Sequence, residues 1–210
     1  MVVTAGGTRE PIDPVRFLGN RSSGKMGSAL ATVASEQGAQ VTLISTVDAA
    51  VPGEVSVVRV ETAQEMYDAV RSALADADLL LMAAAVADHR PAVRSSSKLK
   101  KRPDAWALQL VPTTDILASL QDDPLRDGVY VVGFAAETDQ VLENAALKLH
   151  GKRLDLIVVN DVSRADIGMG ADDNEVTVIG PEGTVAMIAR APKREIAREL
   201  LRIVAARLPL

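Results

Sequence analysis

The sequence predicts an α/β protein built on a doubly wound, mostly parallel sheet with a late antiparallel hairpin and a projecting flap. Three observations predict it. Short β-branched runs alternate with longer helical stretches at βαβ lengths. Leu79–Ala84 contains no polar residue, as in a strand covered on both faces. A Gly6-Gly7 pair directly follows the first strand, where open α/β sheets make their ligand turn.

The elements follow in order. Val2–Ala5 is the first strand. Gly24–Gln37 is helical, with Met26, Leu30, Val33 and Ala34 on one face, Ser23 as N-cap and Gly38 as the stop. Strands follow at Gln40–Ser45 and Val55–Val60. Thr62 with Glu65 three residues later forms a capping-box signal, so a helix runs from there to about Leu74. After the Leu79–Ala84 strand come a helix from about Asp115, a strand Val129–Phe134, a helix Gln140–His150 and a strand Asp155–Val159. Val176–Ile179 and Thr184–Ile188 flank Gly180-Pro181-Glu182-Gly183 and read as a hairpin. A last amphipathic helix starts near Pro192 and turns Ile196, Leu200, Leu201 and Val204 inward. No internal repeat or low-complexity linker divides residues 1–210, which read as one domain.

Composition narrows the function classes. Of 210 residues, 48% are apolar but only 2% aromatic, so the core is Val, Leu, Ile and Ala. With 23 basic and 28 acidic residues the net charge is −5, which argues against a global nucleic-acid or anionic-membrane footprint. The absence of Cys excludes disulfides and thiolate chemistry, and two His leave little for a metal cluster or triad. The longest apolar run, Leu79–Ala87, is about half a membrane span, and Val2 onward reads as strand rather than signal peptide. A cytoplasmic protein is the expectation.

Against this acidic background one segment stands out. His89–Pro103 carries six basic residues (Arg90, Arg94, Lys98, Lys100, Lys101, Arg102) and no acid. It follows a buried strand, where an anionic ligand would sit; the plain alternative is a solvated loop. Gly6-Gly7 lacks the G-x-G-x-x-G pattern, and Leu43-Ile44-Ser45-Thr46 ends the next strand without a ribose-binding acid. That weakens an NAD(P) or nucleotide-sugar reading. Gly19-Asn20-Arg21-Ser22-Ser23-Gly24-Lys25 matches a P-loop except for Met26 at its last position. It reads as a helix start favourable to anions.

Thr4-Ala5-Gly6-Gly7-Thr8-Arg9-Glu10-Pro11-Ile12-Asp13-Pro14-Val15-Arg16 and Asn20-Arg21-Ser22-Ser23-Gly24-Lys25-Met26-Gly27 carry a long, specific resemblance. Ala83–Asp88, Lys98–Lys101, Gly133–Thr138 and Asn160–Ser163 extend it. Together they resemble bacterial phosphopantothenoylcysteine synthetase, the phosphopantothenate–cysteine ligase of coenzyme A biosynthesis. The resemblance implies a Rossmann-like fold and a ligase in which CTP activates 4′-phosphopantothenate as an acyl-cytidylate, which the amine of cysteine then attacks. It also implies Mg²⁺ with the triphosphate, and a homodimer whose flap, about residues 89–111, carries Lys98 into the neighbouring subunit. Such synthetases are commonly the C-terminal half of a protein that begins with a flavin-dependent decarboxylase; flavin is not expected within this chain.

Residue by residue, the resemblance places Asn20 at the acyl-cytidylate, Arg16 at the phosphopantothenoyl group and Lys98 in acyl-cytidylate formation. Gly6, Gly7, Ser22, Ser23, Ala84, Asp88, Thr114, Asp115, Ile116, Leu117, Phe134, Lys148 and Lys152, with Lys98, form the implied nucleotide site, and Asp88 is the candidate metal ligand. Plain alternatives stand beside these. Asn20 and Asp88 could cap turns, Arg16 could pair with Asp13 on the surface, and Phe134 could be core. Lys148 and Lys152 could be ordinary helix lysines. Two positions depart from the family: Gly19 stands where Thr or Ser often precedes the Asn, and His89 where an aromatic commonly follows the Asp. Trp106, Leu108 and Leu110 alternate with polar or small residues and predict a strand with one apolar face, to be buried against a partner.

Overall fold

The computed structural model describes residues 1–101, 103–137, 141–161 and 170–208. Arg102 of the basic arm, and Thr138, Val162 and Ser163 of the motifs, lie outside the described residues.

Six parallel strands form the body of the sheet: β1 (Val2–Ala5), β4 (Thr42–Ser45), β5 (Ser56–Arg59), β6 (Leu79–Met82), β9 (Tyr130–Glu137) and β10 (Leu156–Asp161). Their spatial order is β5-β4-β1-β6-β9-β10, so counted along the chain they stand 3-2-1-4-5-6. The order reverses between β1 and β6, and that is where such sheets open their crevice. The predicted hairpin, β11 (Asp173–Gly180) and β12 (Gly183–Pro192), adds two antiparallel strands beside β10. Two small hairpins lie off the sheet. One pairs β2 (Arg9–Pro11) with β3 (Phe17–Gly19), and the other pairs β7 (His89–Pro91) with β8 (Leu110–Pro112).

Burial alternates along the central strands. Leu79 and Leu81 of β6 enter one apolar layer and Leu80 and Met82 the other; Leu156 and Val158 of β10 oppose Ile157 and Val159 in the same way. The first layer is closed by α1 (Lys25–Glu36) and α5 (Lys193–Ala205), through Leu30, Val33 and Ala34 and through Ile196, Leu200, Leu201 and Val204. The second is closed by α2 (Ala63–Ala73), α3 (Ile116–Ser119) and α4 (Val141–Gly151), through Met66, Val70, Ile116, Ala145 and Leu149. Both sheet faces are covered, which explains the unbroken apolar run in β6.

Thr62 and Glu65 form the predicted capping box: each side chain accepts from the other's backbone N–H, both at 3.2 Å. The helix expected from about Asp115 is present as a single turn that Asp115 caps. One expectation is corrected. No strand runs through Trp106 and Leu108; Trp106 is 51% exposed, and pairing begins only at Leu110. The alternation there has no sheet to join within this subunit.

Candidate functional site

The crevice lies at the C-terminal ends of β1, β6, β9 and β10. One lobe, about 390 Å³, is lined by Ala84, Asp88, Thr114, Asp115, Ile116, Leu117, Phe134, Lys148 and Lys152, among others. These residues come from four separate segments, and the topology brings all of them together. The loop after β6 is held by crossed hydrogen bonds. Ala84 N–H donates to Thr4 Oγ1 at 3.0 Å, Ala85 N–H to Gly6 O at 2.8 Å and Ala87 N–H to Thr8 Oγ1 at 2.8 Å. Thr113 N–H donates to Asp88 O at 2.9 Å, which fixes Asp88 at the mouth with its side chain exposed.

Asp115 and Lys152 face each other across this lobe at 2.8 Å. Asp115 also caps α3 by accepting from Ala118 N–H at 3.1 Å. Its burial would raise the carboxyl, but the hydrogen bonds from Lys152, Ala118 and Leu117 and the Lys152 charge outweigh this and hold it below the usual carboxylate range. Lys152, read as an ordinary exposed lysine in the plain alternative, is instead half-buried and paired. Phe134 is half-buried; it packs on the core and lines the crevice, so both of its expected roles meet in one residue.

A second lobe, about 140 Å³, adjoins the first along Ala84, Ala85, Phe134, Ala135 and Ala136. It reaches the start of α1 and is lined by Ser22, Ser23, Lys25, Asn160, Asn174 and Lys193. Ser23 is not the N-cap. That position is Gly24, left-handed at φ +75°, with no side-chain cap, so the first N–H groups of α1 stay available to the lobe. Gly27 lets α1 seat directly on β1: a Cβ there would stand 2.5 Å from Thr4 O.

Lys25, the P-loop-like lysine, lines this lobe with its ammonium engaged by Asp172 Oδ1 at 2.6 Å and Gly170 O at 2.9 Å. Lys193 closes the lobe; burial and neighbouring Lys25 push its ammonium down, against the pull of Asp172 and Asp173. Sequence reasoning missed Lys193 and Asn174, which arrive from distant segments. Asn160 was inside a quoted motif, and that was the available signal.

Gly6 and Gly7 are buried against protein and are not among the residues that line either lobe. A Cβ on Gly6 would stand 2.2 Å from Thr46 Oγ1, and one on Gly7 2.8 Å from Asn20 O. Their smallness lets the first turn, Thr46 and Asn20 pack together. Asn20 stands above them, and its Nδ2 donates to Ala85 O at 3.2 Å and Val86 O at 3.3 Å.

Arg16 and Lys98 lie elsewhere, in an open cleft of about 750 Å³ with Val15, Ser97, Lys100, Lys101, Asp104 and Trp106. Lys98 lines neither lobe of the crevice. Arg16 pairs with Asp13 at 2.5 Å, as its plain alternative had it, with the carboxylate buried and the Arg16 side chain 42% exposed. Among the described residues no group of three or more His, Asp or Glu could hold a metal ion. No described helix is long and apolar enough to cross a membrane.

This geometry has known counterparts. The coenzyme A biosynthesis bifunctional protein CoaBC of Vibrio vulnificus (strain YJ016) is 43% identical over 96% of this chain and 51% of its own. The protein of that name from Mycobacterium tuberculosis (strain ATCC 25618 / H37Rv) is 42% identical over 96% of this chain and 50% of its own. The chain thus spans about half the length of the curated relatives it matches. The crystal structure of the C-terminal domain of a coenzyme A biosynthesis bifunctional protein CoaBC superposes with a TM-score of 0.80 at 38% identity, covering 98% of this chain and 93% of that one. Residues 1–208 match the family of the DNA/pantothenate metabolism flavoprotein C-terminal domain, and the chain belongs to that family.

Proposed function

We propose that this chain is a phosphopantothenate–cysteine ligase acting in coenzyme A biosynthesis, with CTP as co-substrate. The observation that carries the reading is the two-lobed crevice at the switch point. It gathers Asp88, Thr114–Leu117, Phe134, Lys148 and Lys152 beside the open N-terminus of α1. That arrangement suits a nucleoside triphosphate: an enclosed wall and carboxylates for base and ribose, and N–H groups, hydroxyls and lysines for phosphates.

In the first step a carboxylate oxygen of 4′-phosphopantothenate attacks the α-phosphorus of CTP. The P–O bond to the β-phosphate breaks and pyrophosphate leaves. The carboxylate is already ionised, so this step needs charge stabilisation rather than a base. Ser22, Ser23 and the N–H groups of α1 stand where such charge would be met, and Lys148, Lys152 and Lys193 add cations. In the second step the neutral amine of cysteine attacks the acyl carbon, the C–N bond forms, the bond to the CMP oxygen breaks and the amine loses a proton. Asn20 is the candidate donor to the tetrahedral oxyanion, and one of the two N–H groups that now bond the Ala85 and Val86 carbonyls would have to turn to it.

The residues fit a magnesium ion that arrives on the triphosphate rather than a resident one. Asp88 would supply one carboxylate, Asp115 is already taken by Lys152, and magnesium commonly keeps one or two carboxylates plus substrate phosphates. When bound, it supplies neutralisation of phosphate charge.

We further propose a homodimer with shared sites. Lys98 stands with Arg16, away from its own nucleotide lobe. Around that cleft and on the flap, Val15, Phe17, Val93, Trp106 and Leu110 are all more than two-fifths exposed, an apolar surface that a second copy would cover. The identity of the relatives supports fusion to a flavin-dependent decarboxylase in a full-length protein.

The test is incubation with CTP, 4′-phosphopantothenate and cysteine, following CMP, pyrophosphate and the amide. Formation of all three is the expected result. No product from folded protein, a clear preference for ATP in competition, or turnover of NAD(P)H instead would contradict the reading.

A further inference from the structure

We infer that Asp13 is a positioning residue that locks the flap onto the loop carrying Arg16, so that Arg16 and Lys98 are presented as one cationic face. The Asp13 side chain has no exposed surface. Its Oδ1 accepts from Val15 N–H at 2.8 Å and Arg16 N–H at 2.9 Å. Its Oδ2 accepts from Arg16 Nε at 2.9 Å, Arg16 Nη2 at 2.5 Å and Leu99 N–H at 3.1 Å. Arg16 Nη2 then donates to Leu99 O at 2.8 Å, which closes a ring through carboxylate, guanidinium and flap backbone. Ser95 N–H donates to Ile12 O at 2.9 Å as a second tie, and the guanidinium lies 5.4 Å from the Trp106 ring centre.

The division of labour between the two oxygens is what separates positioning from turn-making. Oδ1 alone caps the turn at Val15 and Arg16, and an Asn would do that equally well. Oδ2 faces only donors, three of them, and one belongs to the flap residue next to Lys98. An Asn amide placed there would set N–H against N–H. The need for a carboxylate therefore comes from the Arg16 guanidinium and the flap together, not from the backbone of the turn. Burial would raise this carboxyl, but the hydrogen bonds from Arg16, Val15 and Leu99 hold it well below the usual carboxylate range, so the lock stays charged at neutral pH.

The inference rests on the roles proposed for Arg16 and Lys98, and its first readout does not. Trp106 is the chain's one tryptophan and is 51% exposed, so its fluorescence reports flap docking without any substrate. In Asp13→Asn, acrylamide quenching of Trp106 should rise roughly 1.5- to 2-fold, because a half-exposed ring becomes a free one. The second readout is kcat/KM for 4′-phosphopantothenate, measured by pyrophosphate release. It should fall about tenfold in Asp13→Asn but no more than about twofold further when Asp13→Asn is added to Lys98→Gln.

Unchanged quenching in a folded Asp13→Asn protein overturns the lock, whatever the activity. Raised quenching with losses that multiply in the double variant overturns the positioning role, since a merely structural residue would weaken Lys98→Gln as much as wild type. If Asp13→Asn does not fold, Leu99→Pro removes the flap's N–H from Oδ2, and because a proline there also restricts the backbone of Lys98, the quenching readout alone decides. A wild-type chain without ligase activity would overturn the proposed function, while quenching would still decide the lock.

Discussion

Replacing Asn20 by Asp tests the second half-reaction at a residue whose contacts are known. The amide nitrogen now donates to Ala85 O and Val86 O at 3.2 and 3.3 Å. Asp puts an acceptor in its place, so two hydrogen bonds are lost and an anion faces two carbonyl oxygens. Both bonds are long and exposed, so the stability cost should be about 1 kcal/mol, or a fall of roughly 2–4 °C in Tm for a domain of this size. The catalytic cost should be larger, because removing one oxyanion donor lowers rate by about 10²- to 10³-fold. The added charge would also repel a phosphate-bearing intermediate. In a quenched-flow assay the variant should release pyrophosphate at near wild-type rate and form amide roughly a hundredfold slower, with acyl-cytidylate recoverable from the quench. Normal amide formation would show that Asn20 only braces the turn, and equal loss in both steps would show that it shapes the whole crevice.

Other outcomes follow from particular contacts. Gly27→Ala should destabilise by about 1–3 kcal/mol despite better helix propensity, since its Cβ meets Thr4 O at 2.5 Å and Ala5 Cβ at 2.6 Å; thermal melting checks this. Lys152→Ala removes a cation from the nucleotide lobe and leaves the Asp115 carboxylate unpaired there, so KM for CTP should rise about tenfold. Asp13 and Asp115 both have folded carboxyls held below their ordinary range, so the stability they add is present above pH ~4 and lost as pH falls below it. Tm should therefore be flat from neutral pH to about 5 and fall in acid, less steeply in Asp115→Asn. Mixing Lys98→Gln with Asn20→Asp protein should restore activity if sites are shared across subunits; proven subunit exchange with no activity contradicts sharing.

Much of the fold was legible because local and tertiary preferences agree. Thr62 and Glu65 announce a helix start that packing leaves in place, and Ile196, Leu200, Leu201 and Val204 mark one face that the sheet then buries. The reading failed where a residue's surroundings come from elsewhere in the chain. Ser23 has good capping chemistry, but the chain enters α1 through left-handed Gly24 against Val47, so no serine hydroxyl is aimed at the helix. Gly6 and Gly7, read as a ligand turn, also have a packing reason to be small that the sequence did not show, since Thr46 and Asn20 occupy the adjoining space. The residues that line the larger lobe were named through the family resemblance, not through spacing. Lys193, 168 residues after Lys25, and the Asp13 ring depend on topology that no spacing encodes.

On the proposed function, this crevice activates a carboxylate by nucleotidyl transfer. A single turnover tests it, with CTP labelled at the α-phosphate, 4′-phosphopantothenate and excess enzyme, one aliquot quenched without cysteine and a second chased with cysteine before the quench. Label should move into an acyl-cytidylate with one pyrophosphate released in the first aliquot, and into CMP, with amide formed, in the second. Label recovered in CDP, or retained in CTP by folded enzyme, would contradict it.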